Sequence, residues 1–388
     1  MDLPVDLSAL RAGRLARLQA AMRARDVTSC LLFNEPNIRY ATGASAMPIY
    51  AMSTFVRCAL VPAEGRPILF EHANSMHRSE YVVDDVRPMH AWEFYDDPEA
   101  EAVIWAGEIT ASMGELGVGG ERLAVDRLGT PGFLALQREG VTIVDSAPAT
   151  QGAREVKTPE EIRLFEINGS MVVNMLSAFE AALVPGIRER ELLAVLSDTM
   201  LRGGGEYLAT STVCSGPNTN PWRAEATDRV IAPGDLVFVD TDTVGIEGYF
   251  FCVSRSFLAG DERPTPAQRD TFNASLDWLE GLRSVVRPGL TCRELAALAP
   301  PLPEKYLPQR YECMIHGIGL EEESPSVCYP IDRQSNADRM IDEDMTLVIE
   351  LYAGELGGDH GVKLGDQVHV VADGSRILAP YPFSVSFS

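Results

Sequence analysis

Leu236-Val237-Phe238-Val239-Asp240-Thr241-Asp242 is the stretch that decides the reading of this chain. Its four leading apolar residues, mostly β-branched or aromatic, predict a short buried strand. The strand ends on two carboxylates. Because side chains alternate along a strand, Asp240 and Asp242 share one face. Carboxylates held that close repel, and they call for a cation, a shared proton or water. A solvated strand end with a turn is the plainer alternative.

Downstream, Thr346-Leu347-Val348-Ile349-Glu350-Leu351 carries a second such acid. A carboxylate inside an apolar strand is seldom buried unless it is paired, metal-bound or catalytic. Between the two strands lies His316-Gly317-Ile318-Gly319, where the glycines allow close backbone approach. A histidine so placed is either structural or a proton carrier. Lys363-Leu364-Gly365-Asp366-Gln367-Val368 opens the last strand, and Asp366 reads as a turn residue or a site residue.

Upstream, residues 9–26 read as an amphipathic helix and Cys30–Phe33 as a buried strand. Asn34-Glu35-Pro36-Asn37 reads as a turn. Strands at 54–62, 67–71, 122–126 and 141–144 and a helix at 99–116 complete a mixed α/β unit that ends near residue 150. Thr158-Pro159-Glu160-Glu161 then starts a long helix, with a Thr cap, Pro at the first position and Glu three residues on. Val184-Pro185-Gly186 stops that helix. A similar stop, Val285-Val286-Arg287-Pro288-Gly289, follows a helix over 264–286. Each stop precedes a shorter helix (188–202 and 291–298), so the second half carries an internal duplication or a chance match. Further strands are expected at 211–214, 249–258, 346–352 and 366–372. The division is therefore 1–150 and 151–388, with an α/β (α+β) fold class.

With 33 Lys and Arg against 56 Asp and Glu, the chain carries a formal charge of −23. That excludes nucleic acid and anionic membrane surfaces as partners, and it permits a cationic ligand. No apolar run approaches the ~18 residues of a membrane span. Met1–Asp6 shows no basic or apolar leader, and the seven cysteines are scattered without a Cys-x-x-Cys pair. Reduced thiols in a cytoplasmic protein are the expectation.

The order Asp-x-Asp, Gly248-Tyr249, Ser254-Arg255, His-Gly-x-Gly, strand Glu and final Asp resembles the creatinase / aminopeptidase P / methionine aminopeptidase family over the full chain. Within it, the dimethylsulfoniopropionate lyase branch is most similar. The matching stretches are Asn37–Thr42, Ser215–Trp222, His316–Leu320, Pro325-Ser326 with Tyr329-Pro330, and Gly361–Val368. The resemblance implies an N-terminal creatinase-like domain and a C-terminal "pita-bread" catalytic domain in a homodimer. Metal-using members hold two ions on two Asp, one His and two Glu. Asp240, Asp242, His316 and Glu350 match that pattern. The bridging Asp falls on Cys252 and the last Glu on Gly365.

A glycine offers no ligand, and a thiol is a poor bridging group for hard ions. A dinuclear centre is therefore not expected, and the expected cofactor is none. The alternative is a single divalent metal (Zn, Fe or Mn) on Asp240, Asp242, Cys252, His316 and Glu350. In a metal-free site the clustered acids would be protonated or would meet a positive ligand, as creatine and dimethylsulfoniopropionate both are. The expectation is thus an enzyme cleaving a C–N bond by hydrolysis, or a C–S bond by elimination, in a small cationic or zwitterionic metabolite. An altered-ligand metal lyase or Xaa-Pro peptidase and a catalytically dead binding protein are the rivals. His316 would be general acid or base, with Glu350, Asp240, Asp242, Tyr311 and Glu322 as further catalytic candidates. Trp222, Asn220, Cys252 and Asp366 would meet substrate, and Tyr50 and Arg57 would reach the partner's pocket.

Overall fold

In the computed structural model, residues 4–49, 54–119, 122–333, 335–384 and 387 are described. The chain divides into two compact units, Met1–Arg154 and Glu155–Ser388.

The N-terminal unit is built on a mixed sheet ordered β4-β3-β2-β1-β5-β6. Its strands are β1 (Ser29–Leu32), β2 (Cys58–Pro62), β3 (Ile68–Glu71), β4 (Asp85–Pro88), β5 (Arg122–Val125) and β6 (Thr142–Asp145). Helices Leu7–Arg23 and Pro98–Glu115 lie where the sequence predicts them. Phe33, Trp92 and Trp105 pack in its core, the two tryptophan rings edge to face at 4.7 Å. Asn34–Asn37 corrects the expected turn: Asn34 caps a helix, Glu35–Thr42, with Pro36 in its first turn, where proline's missing N–H costs nothing.

In the second unit, Thr158 opens the helix Pro159–Ala182. Its hydroxyl accepts from Glu161 N, and Glu161 Oε2 accepts from Thr158 N at 2.8 Å, a closed capping box. The sheet behind the site runs β14-β13-β15-β16-β12-β9-β8, with β17 beside β16. The strands are β8 (Val213–Ser215), β9 (Leu236–Asp240), β12 (Ser254–Leu258), β13 (Cys313–Ile318), β14 (Glu322–Cys328), β15 (Thr346–Gly354), β16 (Gly361–Val371) and β17 (Gly374–Ile377). Three short strands, β7 (Tyr207–Leu208), β10 (Thr243–Val244) and β11 (Phe250–Phe251), form a separate sheet. Two boundaries differ from expectation. The last long strand starts at Gly361, five residues early, and β17 follows it. Glycines at 361 and 365 had masked a strand that lies wholly buried up to Val370.

The duplication is real in geometry. Gly186 (φ 99°) donates to Ile231 O at 2.8 Å, and Gly289 (φ 86°) donates to Ile341 O at 2.9 Å. Arg188 bridges Val230 and Thr291 bridges Met340. Each half then runs into a core strand, β9 or β15, whose fifth residue is the acid, Asp240 or Glu350. Asp240 pairs with Ser254 on β12, and Glu350 pairs with Gly365 on β16. Two residues before those partners stand Cys252 and Lys363, which are therefore equivalent positions of the two halves.

Candidate active site

The acid at the end of β9 and the acid in the middle of β15 meet the β13 histidine around a cavity of about 290 Å³. Asp240, Asp242, Cys252, His316, Glu350, Tyr311, Glu322 and Trp222 all line it, as the sequence predicts, together with Glu225 and Lys363. The glycines beside His316 have a steric reason. A Cβ on Gly317 would strike Ser324 O, and one on Gly319 would strike the Glu323 carboxylate, which is buried against Lys157 Nζ at 2.7 Å.

Lys363 is the residue that sequence reasoning passed over. It is fully buried. Its Nζ bonds Glu350 Oε2, lies 3.3 Å from Asp240 Oδ2, and sits 4.7 Å and 4.5 Å from the ring centres of Trp222 and Tyr311. The expected choice between protonated acids and a positive ligand thus omits a third solution, a cation supplied by the chain. Trp222 does face a cation, and that cation is Lys363.

The surroundings drive the two carboxylates in opposite directions. Burial disfavours ionised Glu350, but Lys363 and then His316 outweigh it and hold Glu350 well below the usual carboxylate range. Burial and the neighbouring Asp240 charge raise Asp242 to about 7. Burial also works against a charged His316, yet Glu350 Oε1 at 3.4 Å from Nε2 prevails and raises the imidazole to about 9. Its Nδ1 lies 2.9 Å from Gly317 O. Burial would lower Lys363, but Asp240 and Glu350 raise it well above its ordinary value. Burial raises the Cys252 thiol far above its normal range. Cys252 is thus not a ready nucleophile.

A pair of metal ions does not fit these residues. Asp240 Oδ1 already accepts from Ser254 Oγ at 2.7 Å and from Cys252 Sγ at 3.4 Å, while its Oδ2 faces Lys363. A Cβ on Gly365 would lie 3.1 Å from Glu350 Cβ and 3.2 Å from Ser254 Oγ, leaving a longer side chain little room there. Of the five-residue set expected for a single metal, the one group of three whose ligand atoms all lie within 4.8 Å of one another among the described residues is Asp240, Asp242 and Cys252. His316 is engaged with Glu350, and Glu350 with Lys363.

Three expected substrate contacts are corrected. Asp366 points to the opposite side of β16 from Lys363 and Gly365. There it is fully buried between Arg255 Nη2 and Arg283 Nη1, each at 2.7 Å. Asn220 anchors a loop instead: its amide donates to Glu355 O and Gly358 O, and its Oδ1 accepts from Gln309 and Tyr352. Arg57 is buried in its own unit between Glu35 (2.6 Å) and Glu71 (2.9 Å). Tyr50 lies outside the described residues.

Comparison with known proteins agrees with this architecture. Residues 14–156 match the creatinase/prolidase N-terminal domain, and residues 164–372 match metallopeptidase family M24. The dimethylsulfoniopropionate lyase DddP of Roseobacter denitrificans is 34% identical over 99% of this chain and 88% of its own length. The ectoine hydrolase of Halomonas elongata is 21% identical over 96% and 95%. Among solved structures, a prolidase from Thermococcus sibiricus superposes with a TM-score of 0.81 at 20% identity, covering 96% of this chain and 98% of its own. Among the described residues, no helix is long and apolar enough to cross a membrane. The chain belongs to metallopeptidase family M24, carries the creatinase/prolidase N-terminal domain, and is a hydrolase or lyase of that family.

Proposed function

We propose that this enzyme cleaves a C–N or C–S bond of a small cationic or zwitterionic metabolite by acid–base chemistry, without a dinuclear metal centre. The observation that carries the reading is the charge of the cavity wall. Five carboxylates (Asp240, Asp242, Glu350, Glu225 and Glu322) face one lysine and one histidine. Lys363 takes up Asp240 and Glu350, which leaves Asp242 and the exposed Glu225 and Glu322 for a ligand's positive group. Thr210 Oγ1 and Trp222 Nε1 are buried atoms without a hydrogen-bond partner among the described residues, and they suit the polar end of a zwitterion. The relatives named for dimethylsulfoniopropionate and ectoine point to the same ligand class.

In this reading Asp242 is the base and protonated His316 the acid, a pair separated by opposite environments. In hydrolysis Asp242 takes a proton from water and His316 delivers one to the departing nitrogen; in elimination Asp242 takes the proton from carbon and the C–S pair leaves with sulfur as a neutral sulfide that needs no proton. Tyr311, its hydroxyl held neutral by burial and by Glu350, shapes the wall. The proposed enzyme is a cytoplasmic homodimer.

Titration calorimetry tests the ligand class. Quaternary ammonium, sulfonium and guanidinium compounds should bind, and neutral isosteres of the same shape should bind at least roughly tenfold more weakly. Equal affinity for neutral or anionic compounds would overturn the reading. The pH profile follows from the two proton carriers. Asp242 acts only when ionised, so kcat/KM rises through about 7. In hydrolysis His316 acts only when protonated, so the rate falls above about 9. A profile flat from pH 6 to 10 would remove both from the chemistry.

A further inference from the structure

We propose that the Lys363 ammonium is the resident cation of this site, a tethered replacement for the family's metal ions, and that the cavity takes up no divalent metal while Lys363 is present. The inference deepens the metal-free part of the function proposed above and is independent of which substrate the cavity accepts.

Its basis is placement. Lys363 Nζ bonds Glu350 Oε2 and lies 3.3 Å from Asp240 Oδ2. Those are the two equivalent strand acids of the duplicated halves, and each matches a family ligand. The Trp222 and Tyr311 ring centres close the remaining sides at 4.7 Å and 4.5 Å. Carboxylates and aromatic faces are the two surroundings that stabilise a buried ammonium. Gly365, where a ligand would stand, carries no side chain, and Lys363 sits two residues earlier on the same strand face. One half of the repeat thus carries a glycine where the family's last acid falls and a base two residues earlier on that face. The other half carries Cys252 at the position equivalent to Lys363, neutral and bonded to Asp240 at 3.4 Å. A metal entering between Asp240 and Glu350 would have to displace the ammonium against like charge. The remaining triplet, Asp240, Asp242 and Cys252, shares Asp240 with it.

The test measures metal content and melting, so it stands or falls apart from the ligand calorimetry. Wild type and Lys363→Ala, both freed of adventitious metal, are dialysed against Mn²⁺ or Zn²⁺ and assayed by elemental analysis and calorimetry. Wild type should retain no stoichiometric metal, and chelation should leave its melting temperature unchanged. Lys363→Ala should bind one or both ions at least tenfold more tightly, equal to about 1.4 kcal/mol, and should be stabilised by them. Stoichiometric metal in wild type would overturn the proposal, as would no gain of affinity in the variant. Should Lys363→Ala not fold, the double variant Lys363→Met/Glu350→Gln decides. Recovery of a cooperative melt supports a cation that neutralises Glu350, and failure to recover overturns it.

Discussion

Replacing His316 with alanine is expected to lower kcat by roughly 10²–10⁴-fold, the range that general acid–base catalysis supplies. The histidine is nearly buried, its Nε2 faces Glu350, and it stands on β13 between two neighbouring strands. Glu350 keeps its Lys363 partner when the imidazole is gone, so no buried carboxylate is left alone and the fold should persist. Circular dichroism and a melting curve alongside the kinetics separate lost chemistry from lost structure. Turnover near wild type in a folded His316→Ala protein would take the histidine out of the mechanism.

The second large effect is on stability. Asp366→Ala should destabilise the protein by about 3–5 kcal/mol, the usual cost of removing one partner of a buried ion pair. Arg255 is 1% exposed and would lose its only carboxylate among the described residues, and Arg283 would lose its bond to the same side chain. The melting temperature should fall by something on the order of 10 °C. Folded Asp366→Ala should bind ligand as wild type does, because Asp366 lies across the sheet from the cavity. Weakened ligand binding with an unchanged melting temperature would restore Asp366 to the site.

The contrast between these two residues shows what the sequence could carry. His316, Asp240 and Glu350 were legible because each breaks a local rule: acids end or interrupt apolar strands, and a histidine stands just before two glycines that its neighbouring strand requires. The capping box at Thr158 and the repeated Pro-Gly stops were legible because caps and turns are short-range chemistry. Asp366 was misplaced because its motif match was followed without its strand parity. Gly365 pairs with Glu350 and shares its direction, so its neighbour must point the other way. Lys363 was passed over for a related reason. A lysine near the start of a strand reads as a solvated end, and only the early onset of β16 at Gly361 together with the β15 register turns it inward. Asn220 and Arg57 depended on loop and domain packing that no local pattern encodes.

The lysine has one more consequence, which concerns supply. A bound ion has an occupancy that depends on how much metal the cell provides and on every protein competing for it. An ammonium on a four-carbon stem arrives with translation, at a stoichiometry of one, with its effective concentration set by the strand that carries it. As the resident cation proposed above, it cannot be starved, mismetallated or stripped. Its operating range is bounded by proton concentration alone.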